Sequence, residues 1–438
     1  MPEWLRPALS GLTTRGRSFL AAGGAAALCA LVLNQRDLLR VAMLLAALPL
    51  ACAITLARSR YRLSLTRTVS PVRVTAGSTS RVRLELANLT RLSTRPLLAE
   101  DRVPYALGAP PRFVLDRLPG GRTAAVTYSL RSEVRGRYAI GPLRLRLADP
   151  FGLCELTRSF TATDSLVVVP RVWPLGPVDA GGMWAGTGES LTRNAAASGE
   201  DDIATREYRE GDDLRRVHWR STARRGELMV RREEQPRQMR ASVLLDARPS
   251  AHRGEGPASS FEWAVSAAAS AAAHLAESGY AVRILTDDRP VPWTAPMAAQ
   301  SGVLLDQLAT VGTGTDRDLE AALSLLLRTG GDGLVVAVLG EVDDDAARGL
   351  SRLVHEGTPG VALTIRTTGW ASLPPGRTTV IDEQHDRVAR MLQLAGWRVG
   401  QASAGHTVTQ AWTQAGGRAL DPSTGHPMST VTAAGGTR

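Results

Sequence analysis

Ala241-Ser242-Val243-Leu244-Leu245-Asp246-Ala247-Arg248-Pro249-Ser250 decides the fold: an apolar run of strand length stops at an acidic residue and a turn, and Phe261–Glu277 follows with helical spacing. The alternation continues downstream. Tyr280–Leu285, Gly333–Leu339 and Val361–Ile365 read as buried strands, whereas Gly302–Thr310, Asp318–Arg328, Asp344–Glu356 and His385–Leu394 read as helices. Apolar strands separated by amphipathic helices build a doubly wound parallel sheet, in which ligands bind beyond the carboxyl ends of the strands. Asp246 stands at such an end. After Gly396 the chain turns to Gly, Thr, Ser and Ala, which predicts a largely disordered tail over 401–438.

Immediately upstream lies the most distinctive stretch, from Arg206-Glu207-Tyr208-Arg209-Glu210-Gly211-Asp212 through Arg215, His218 and Trp219 to Ala223-Arg224-Arg225-Gly226 and the strand Leu228–Arg231. Asp212 or Asp213 caps a helix on which Leu214, Val217, His218 and Ser221 share one face, and Gly226 suits its C-terminal stop. Arg215 and Trp219, four apart, form a second stripe that we expect to order the segment against the sheet domain. Two readings of the polar residues compete. Glu207, Asp212 and His218, with the neighbouring acids, can hold a divalent cation that activates water, as in a hydrolase; or Glu207 and Asp212 pair with Arg215 and Arg224 and fix a loop. The nearly equal number of arginines favours ion pairing, and His218 beside Val217 and Trp219 suits packing.

At these residues the chain resembles the domain of unknown function 58 family, whose pattern is a Glu-Tyr pair, a Gly-Asp turn, an Arg, a Trp, then Ala-Arg and a Gly-x-Leu-x-Val-Arg strand. Glu207, Tyr208, Gly211, Asp212, Arg215, His218, Trp219, Ala223 and Arg224 form that signature here. Arg135–Pro142 and Asp149–Leu153 also resemble the family's approach to the motif. Asp246-Ala247-Arg248-Pro249-Ser250 in turn resembles the Asp-x-Ser-x-Ser ion loop of von Willebrand factor type A domains, which implies Asp246, Ser250 and Thr315 as metal ligands, with Gly340-Glu341 in place of Thr-Asp. Arg248 stands where a serine ligand belongs, and its charge opposes a divalent cation. The magnesium site is therefore expected to be degenerate, and no cofactor is expected.

Between Leu63 and Pro170 the period changes to two. Arg81–Leu86, Ala124–Tyr128, Leu143–Leu147 and Ser165–Val169 alternate, and Ala76-Gly77-Ser78, Pro119-Gly120-Gly121 and Asp149-Pro150 punctuate them, which predicts an antiparallel β-sandwich without a catalytic constellation. Before it, Ser18–Leu33 and Val41–Ala57 carry no charge and flank Asn34-Gln35-Arg36-Asp37. Both are expected to cross a bilayer as an antiparallel pair in close contact through Gly23, Gly24 and alanines. Arg6, Arg15 and Arg17 precede the pair and Arg58, Arg60, Arg62 and Arg67 follow it, which places both termini and the globular body in the cytoplasm.

The expected organisation is multidomain: a cytoplasmic N-terminus and transmembrane hairpin (1–60), a β-sandwich (61–171), a connection with the signature (172–240), a von Willebrand factor A-like α/β domain (241–400) and the tail (401–438). The net charge of +10 points to anionic lipid, since no dense basic tract interleaved with aromatics is present, and no nucleic acid is expected. Cys29, Cys52 and Cys154 supply neither a disulfide framework nor zinc spacing. By resemblance, family members work with MoxR-type AAA+ ATPases. The expectation is a noncatalytic adaptor at the inner membrane that holds such an ATPase for envelope protein assembly or activation; a metal-dependent hydrolase is the alternative.

Overall fold

The computed structural model describes residues 11–58, 62–149, 151–177, 205–207, 219–231, 239–286, 301–314, 319–328, 333–355 and 358–417. The chain forms two compact units, which divide after Pro170.

The first unit opens with two helices, α1 (Thr14–Val32) and α2 (Arg36–Arg58). Thr13 caps α1 by accepting the Gly16 N–H at its hydroxyl, 3.2 Å away. The helices lie close: a Cβ added at Gly23 would stand 3.2 Å from the Ala42 carbonyl, whereas one at Gly24 would meet nothing within 4 Å, so the small-residue contact expected of the pair runs through Gly23 and not Gly24. Among the described residues one helix, at Arg36–Thr55, is long and apolar enough to cross a membrane. α1 falls short of that measure, because Arg15 and Arg17 lie within its first turn, so of the two expected spans α2 alone meets it. Toward the tip Leu28, Leu31, Val32, Val41, Met43 and Leu44 are exposed.

Ten strands follow: β1 (Leu63–Ser70), β2 (Arg73–Thr75), β3 (Thr79–Asn88), β4 (Leu97–Asp101), β5 (Arg112–Leu115), β6 (Thr123–Arg131), β7 (Gly136–Ile140), β8 (Leu143–Ala148), β9 (Glu155–Ser159) and β10 (Asp164–Val169). They form sheets of order β1-β3-β6, β2-β10-β7 and β5-β4-β8-β9, antiparallel except for the parallel pair of β2 with β10. Alternation places Val82, Leu84 and Leu86 of β3, Leu143, Leu145 and Leu147 of β8, and Leu166 and Val168 of β10 in one core. Arg144 and Arg146 of β8 stay partly exposed, as the strand period requires. Arg67, counted above among the charges flanking the membrane, is instead buried: its guanidinium grips Asp101 at 3.2 and 2.7 Å and Asp164 at 3.0 Å.

The second unit contains a small antiparallel pair, β11 (Thr205–Glu207) with β12 (Met229–Arg231), and between them the short helix α3 (Trp219–Arg225). Its main sheet comprises β13 (Arg240–Leu245), β14 (Ala281–Leu285), β15 (Gly333–Leu339), β16 (Gly360–Ile365) and β17 (Arg398–Ala402), with helices α4 (Ser260–Glu277), α5 (Ser301–Thr310), α6 (Glu320–Arg328), α7 (Asp344–His355), α8 (Pro375–Leu394) and α9 (Val408–Gln414). All five strands are parallel, in the order β14-β13-β15-β16-β17. Apolar cores cover both faces, Val243, Leu245 and the alanines of α4 on one and Leu244, Leu326, Leu350 and Leu392 on the other, so β14 and β16 are buried throughout and the other strands at all but one or two positions.

Regular structure continues past residue 400. β17 and α9 complete the sheet domain, and Trp412 is fully buried. Its indole N–H donates to the Gly176 carbonyl at 2.7 Å, the Thr409 hydroxyl donates to Pro174, and Leu175 enters the core. Residues 171–177, expected as connection, therefore belong to this domain. Residues 418–438 lie outside the described residues.

Candidate functional site

The sheet order reverses between β13 and β15, and in doubly wound sheets that crevice, at the carboxyl ends, is where ligands bind. Two loops meet there, one beginning at Asp246 after β13 and the other at Gly340 after β15. They approach so closely that a Cβ on Gly340 would come 2.1 Å from the Ala251 carbonyl; the glycine is needed for lack of space. The Gly314 N–H donates to the Ala247 carbonyl at 2.7 Å, which brings the end of the expected threonine loop to the same place.

Asp246 is fully buried, and both of its carboxylate oxygens are taken. Arg248 forks onto them through Nε at 2.9 Å and Nη2 at 2.8 Å, its backbone N–H adds a bond at 3.1 Å, and the Gly340 N–H donates at 3.3 Å. Nη2 also donates to the Glu341 carbonyl at 2.9 Å. A second fork lies alongside: Arg253 donates to Glu341 through Nε at 2.5 Å and Nη2 at 2.8 Å, and the Thr367 hydroxyl donates to the same carboxylate. His252 closes the cluster. Its Nε2 lies 2.7 Å from the Asp246 carbonyl, which can only accept, so that nitrogen carries the proton and Nδ1 accepts from the Ser260 hydroxyl at 3.3 Å. Burial lowers the pKa of His252 and outweighs the opposing pull of Asp246, which agrees with a neutral ring.

This donor set does not fit a divalent cation. A cation needs carboxylate oxygens free to coordinate it, whereas both oxygens of Asp246 are bound by one guanidinium that itself supplies the positive charge. Of the other expected ligands, Ser250 is exposed on the turn Pro249–Ala251, and Thr315 lies outside the described residues. Arg248 is also one wall of a groove of roughly 600 Å³ between α6 and α7, with Leu319, Leu323 and Leu327 at its apolar side and Glu320, Asp343, Arg348 and Arg352 around it.

The signature segment is described in part. Glu207 ends β11 and pairs in register with Met229; Tyr208, Gly211, Asp212, Arg215 and His218 lie outside the described residues, and with them the expected Glu207–Arg215 or metal arrangements. α3 begins at Trp219 and stops where expected, with Gly226 at φ +77° and its N–H donating to Thr222 at 2.9 Å. Ala223 and Arg224 are exposed, and Trp219 is 69% exposed, so the packed role expected for this tryptophan is not what its position provides.

Residues 204–400, just under half the chain, match the family described as protein of unknown function DUF58. This segment belongs to the DUF58 family. The DUF58 match takes in the β11–β12 pair, the signature, and the sheet domain from β13 into β17, where it ends at residue 400; Arg135–Pro142 and Asp149–Leu153 lie outside it. No curated protein matches the chain. Solved structures similar to part of it include the CARDB domain of the PF1109 protein from Pyrococcus furiosus, at 13% identity and TM-score 0.19, covering 25% of this chain and 93% of that one. The ApaA protein from Bordetella pertussis gives 12% identity and TM-score 0.20, covering 25% and 94%. Likenesses this slight carry no functional argument.

His252, Arg253 and Thr367 are members of the cluster that sequence reasoning missed. His252 and Arg253 lie a few residues beyond the loop that was read, and Thr367 follows β16, the next strand along the sheet. A polar residue just past a strand's carboxyl end was the available signal.

Proposed function

We propose that the chain is a membrane-anchored, noncatalytic adaptor whose sheet domain binds protein, and that the partner implied by its family resemblance, a MoxR-type AAA+ ATPase, works with it in envelope protein assembly or activation. The observation that carries this reading is the Arg248 fork on Asp246. At the point where a doubly wound sheet presents its ligand site, the acid is committed to a cation of the chain itself. The fixed loops offer a rigid surface for binding, and the exposed indole of Trp219, in the DUF58 segment, supplies the kind of side chain that anchors protein interfaces. The apolar α2 and the exposed apolar tip of the hairpin support anchoring in the inner membrane, with the body cytoplasmic. The likeness to von Willebrand factor A domains is limited in this reading to a doubly wound sheet with a displaced ion.

A pull-down from native membranes tests the partner: the full chain is expected to retain the ATPase, and Trp219→Ala to lose it while remaining folded. Reporter fusions at Arg36 and after the last residue should fall on opposite sides of the membrane; a periplasmic C-terminus would end the ATPase reading. Turnover of phosphoesters or peptides that requires Mg²⁺, Mn²⁺ or Zn²⁺ and vanishes in Glu207→Ala would put the hydrolase in place of the adaptor.

A further inference from the structure

One end of the β unit is marked by the helices that join it. β1 starts at Leu63, shortly after α2 ends at Arg58, and Leu63 pairs with Asn88. The loop after Asn88 therefore lies where the hairpin enters, and the Leu89 N–H donates to the Arg62 carbonyl at 2.9 Å. The Gly120–Gly121 turn joins it, with the Gly121 N–H donating to Asn88 at 2.9 Å. The turn from Asp149 to Cys154 is at this end as well. The Thr13 hydroxyl donates to the Gly152 carbonyl at 2.7 Å and the Glu155 N–H to Gly11 at 2.7 Å, while a Cβ on Gly16 would stand 2.2 Å from the Leu153 carbonyl.

These connections carry side chains that water-facing loops do not require. Leu89, Leu92 and Phe151 are large, apolar and 66%, 74% and 60% exposed. Phe151 is held by its backbone: Asp149 accepts the Phe151 N–H at 2.7 Å on one carboxylate oxygen and the Cys154 N–H on the other. The connections at this end also carry exposed Arg62, Arg91, Arg117 and Arg122, with exposed Arg15 and Arg17 at the foot of α1 and Asp116 beside Arg117 in the chain.

The hairpin fixes the level of this surface. From Ser18 to Leu33 no charge interrupts the chain, a rise of about 24 Å at about 1.5 Å per residue. With arginine stems reaching outward, that approaches the ~30 Å of a hydrocarbon core. On the reading of α1 and α2 as a hairpin within the bilayer, Arg17 lies among lipid phosphates and the Asp149–Cys154 turn, which touches neighbouring Gly16, lies at headgroup level.

We infer that this end of the β unit is a lipid-binding surface, in which Leu89, Leu92 and Phe151 enter the headgroup boundary of an anionic leaflet and the surrounding arginines bind its phosphates. The inference rests on the membrane-anchored reading above. It seats the unit on the bilayer instead of leaving it suspended from the hairpin, in the way apolar and basic residues together hold interfacial segments.

The test places photoreactive benzoylphenylalanine at position 92, 151 or 105 of the full chain, reconstituted in vesicles of phosphatidylcholine and phosphatidylglycerol, and measures lipid adducts by mass spectrometry. Tyr105 is the control: it follows β4, whose last residue Asp101 pairs with Leu143 at the opposite end of β8 from the turn. Adducts at 92 and 151 are expected several-fold above those at 105, and Arg91→Gln or Arg122→Gln should each lower the signal at 92 by about fivefold. A chain that floats with the vesicles but labels equally at all three positions overturns the lipid surface and leaves the anchor standing. A chain that does not float overturns both.

Discussion

Arg67 with Asp101 in the β unit and Arg248 with Asp246 in the sheet domain are the same chemical pair in two settings. In each, a guanidinium fork takes both oxygens of a fully buried aspartate, at 3.2 and 2.7 Å in the first and at 2.9 and 2.8 Å in the second. The first pair joins residues 34 apart in sequence, and the Tyr128 hydroxyl donates to the same carboxylate at 2.6 Å. It therefore ties β1, β4 and β6 together and acts as a strut. Burial works against the charge on Arg67, but Asp101 and Asp164 outweigh it and raise its pKa, while burial and Asp101 raise that of Tyr128. The second pair joins residues two apart; Nη2 also reaches the Glu341 carbonyl after β15, but the fork itself closes within one loop, so it acts as a plug. Separation along the chain, more than the strength of the bond, decides which role such a pair plays.

The largest effect is expected from breaking the strut. Asp101→Ala leaves buried Arg67 with Asp164 alone and the Tyr128 hydroxyl without its acceptor, and should cost about 3–5 kcal/mol, seen as faster hydrogen exchange across β3 and β6. A loss under about 1 kcal/mol would break the comparison, since the pair would then bear no load. Removing the plug should do less. Arg248→Ser should cost about 1–3 kcal/mol, because Asp246 keeps backbone N–H donors. The serine variant should then gain thermal stability from Mg²⁺, up to about 2.7 kcal/mol at a hundredfold excess over Kd, whereas the wild type should gain little; tight Mg²⁺ binding by the wild type would show that the plug yields.

Acid should separate the units further. Burial lowers the pKa of His252, His274 and His385, in the last case helped by the Arg366 charge. These rings stay neutral when folded and take up protons when unfolded, below about pH 6.5. Stability of the sheet domain should therefore be full above that pH and fall as pH drops toward the lowered folded values. No histidine precedes His218, so the β unit should show no histidine-linked loss in that window, as followed by exchange on peptides from each unit. The smallest effect is expected of Trp219→Ala. An exposed side chain should change stability by less than about 0.5 kcal/mol, and a loss of about 3 kcal/mol or more would restore the packed role expected from the sequence.

The same contrast explains what could be read in advance. Gly333–Leu339 was expected as a strand and occupies those bounds, because an unbroken apolar run needs no distant information. The Arg248 plug was half visible: the arginine was recognised as foreign to an ion loop, and its partner is two residues away. Arg67 was misread as a flanking charge because its acid lies in another strand, and composition does not reveal such pairings. β17 and α9 were lost among Gly, Ala and Thr, although Trp412, the large aromatic in that stretch, had to be buried somewhere. α8 begins at Pro375, ten residues before the helix that was expected, because Thr378, Thr379 and the acids around them obscure the apolar period.

The Trp412 contact has a mechanical side. The domain's first described segment, at Gly176, and its last helix are fastened directly to each other through the indole, so tension applied to the segments beyond them is borne first by this buckle and the strands of the sheet are spared. A motor that pulled on the chain beyond Gly417 would have to draw a fully buried tryptophan out of its socket before it loaded β17, which makes the buckle the domain's mechanical fuse.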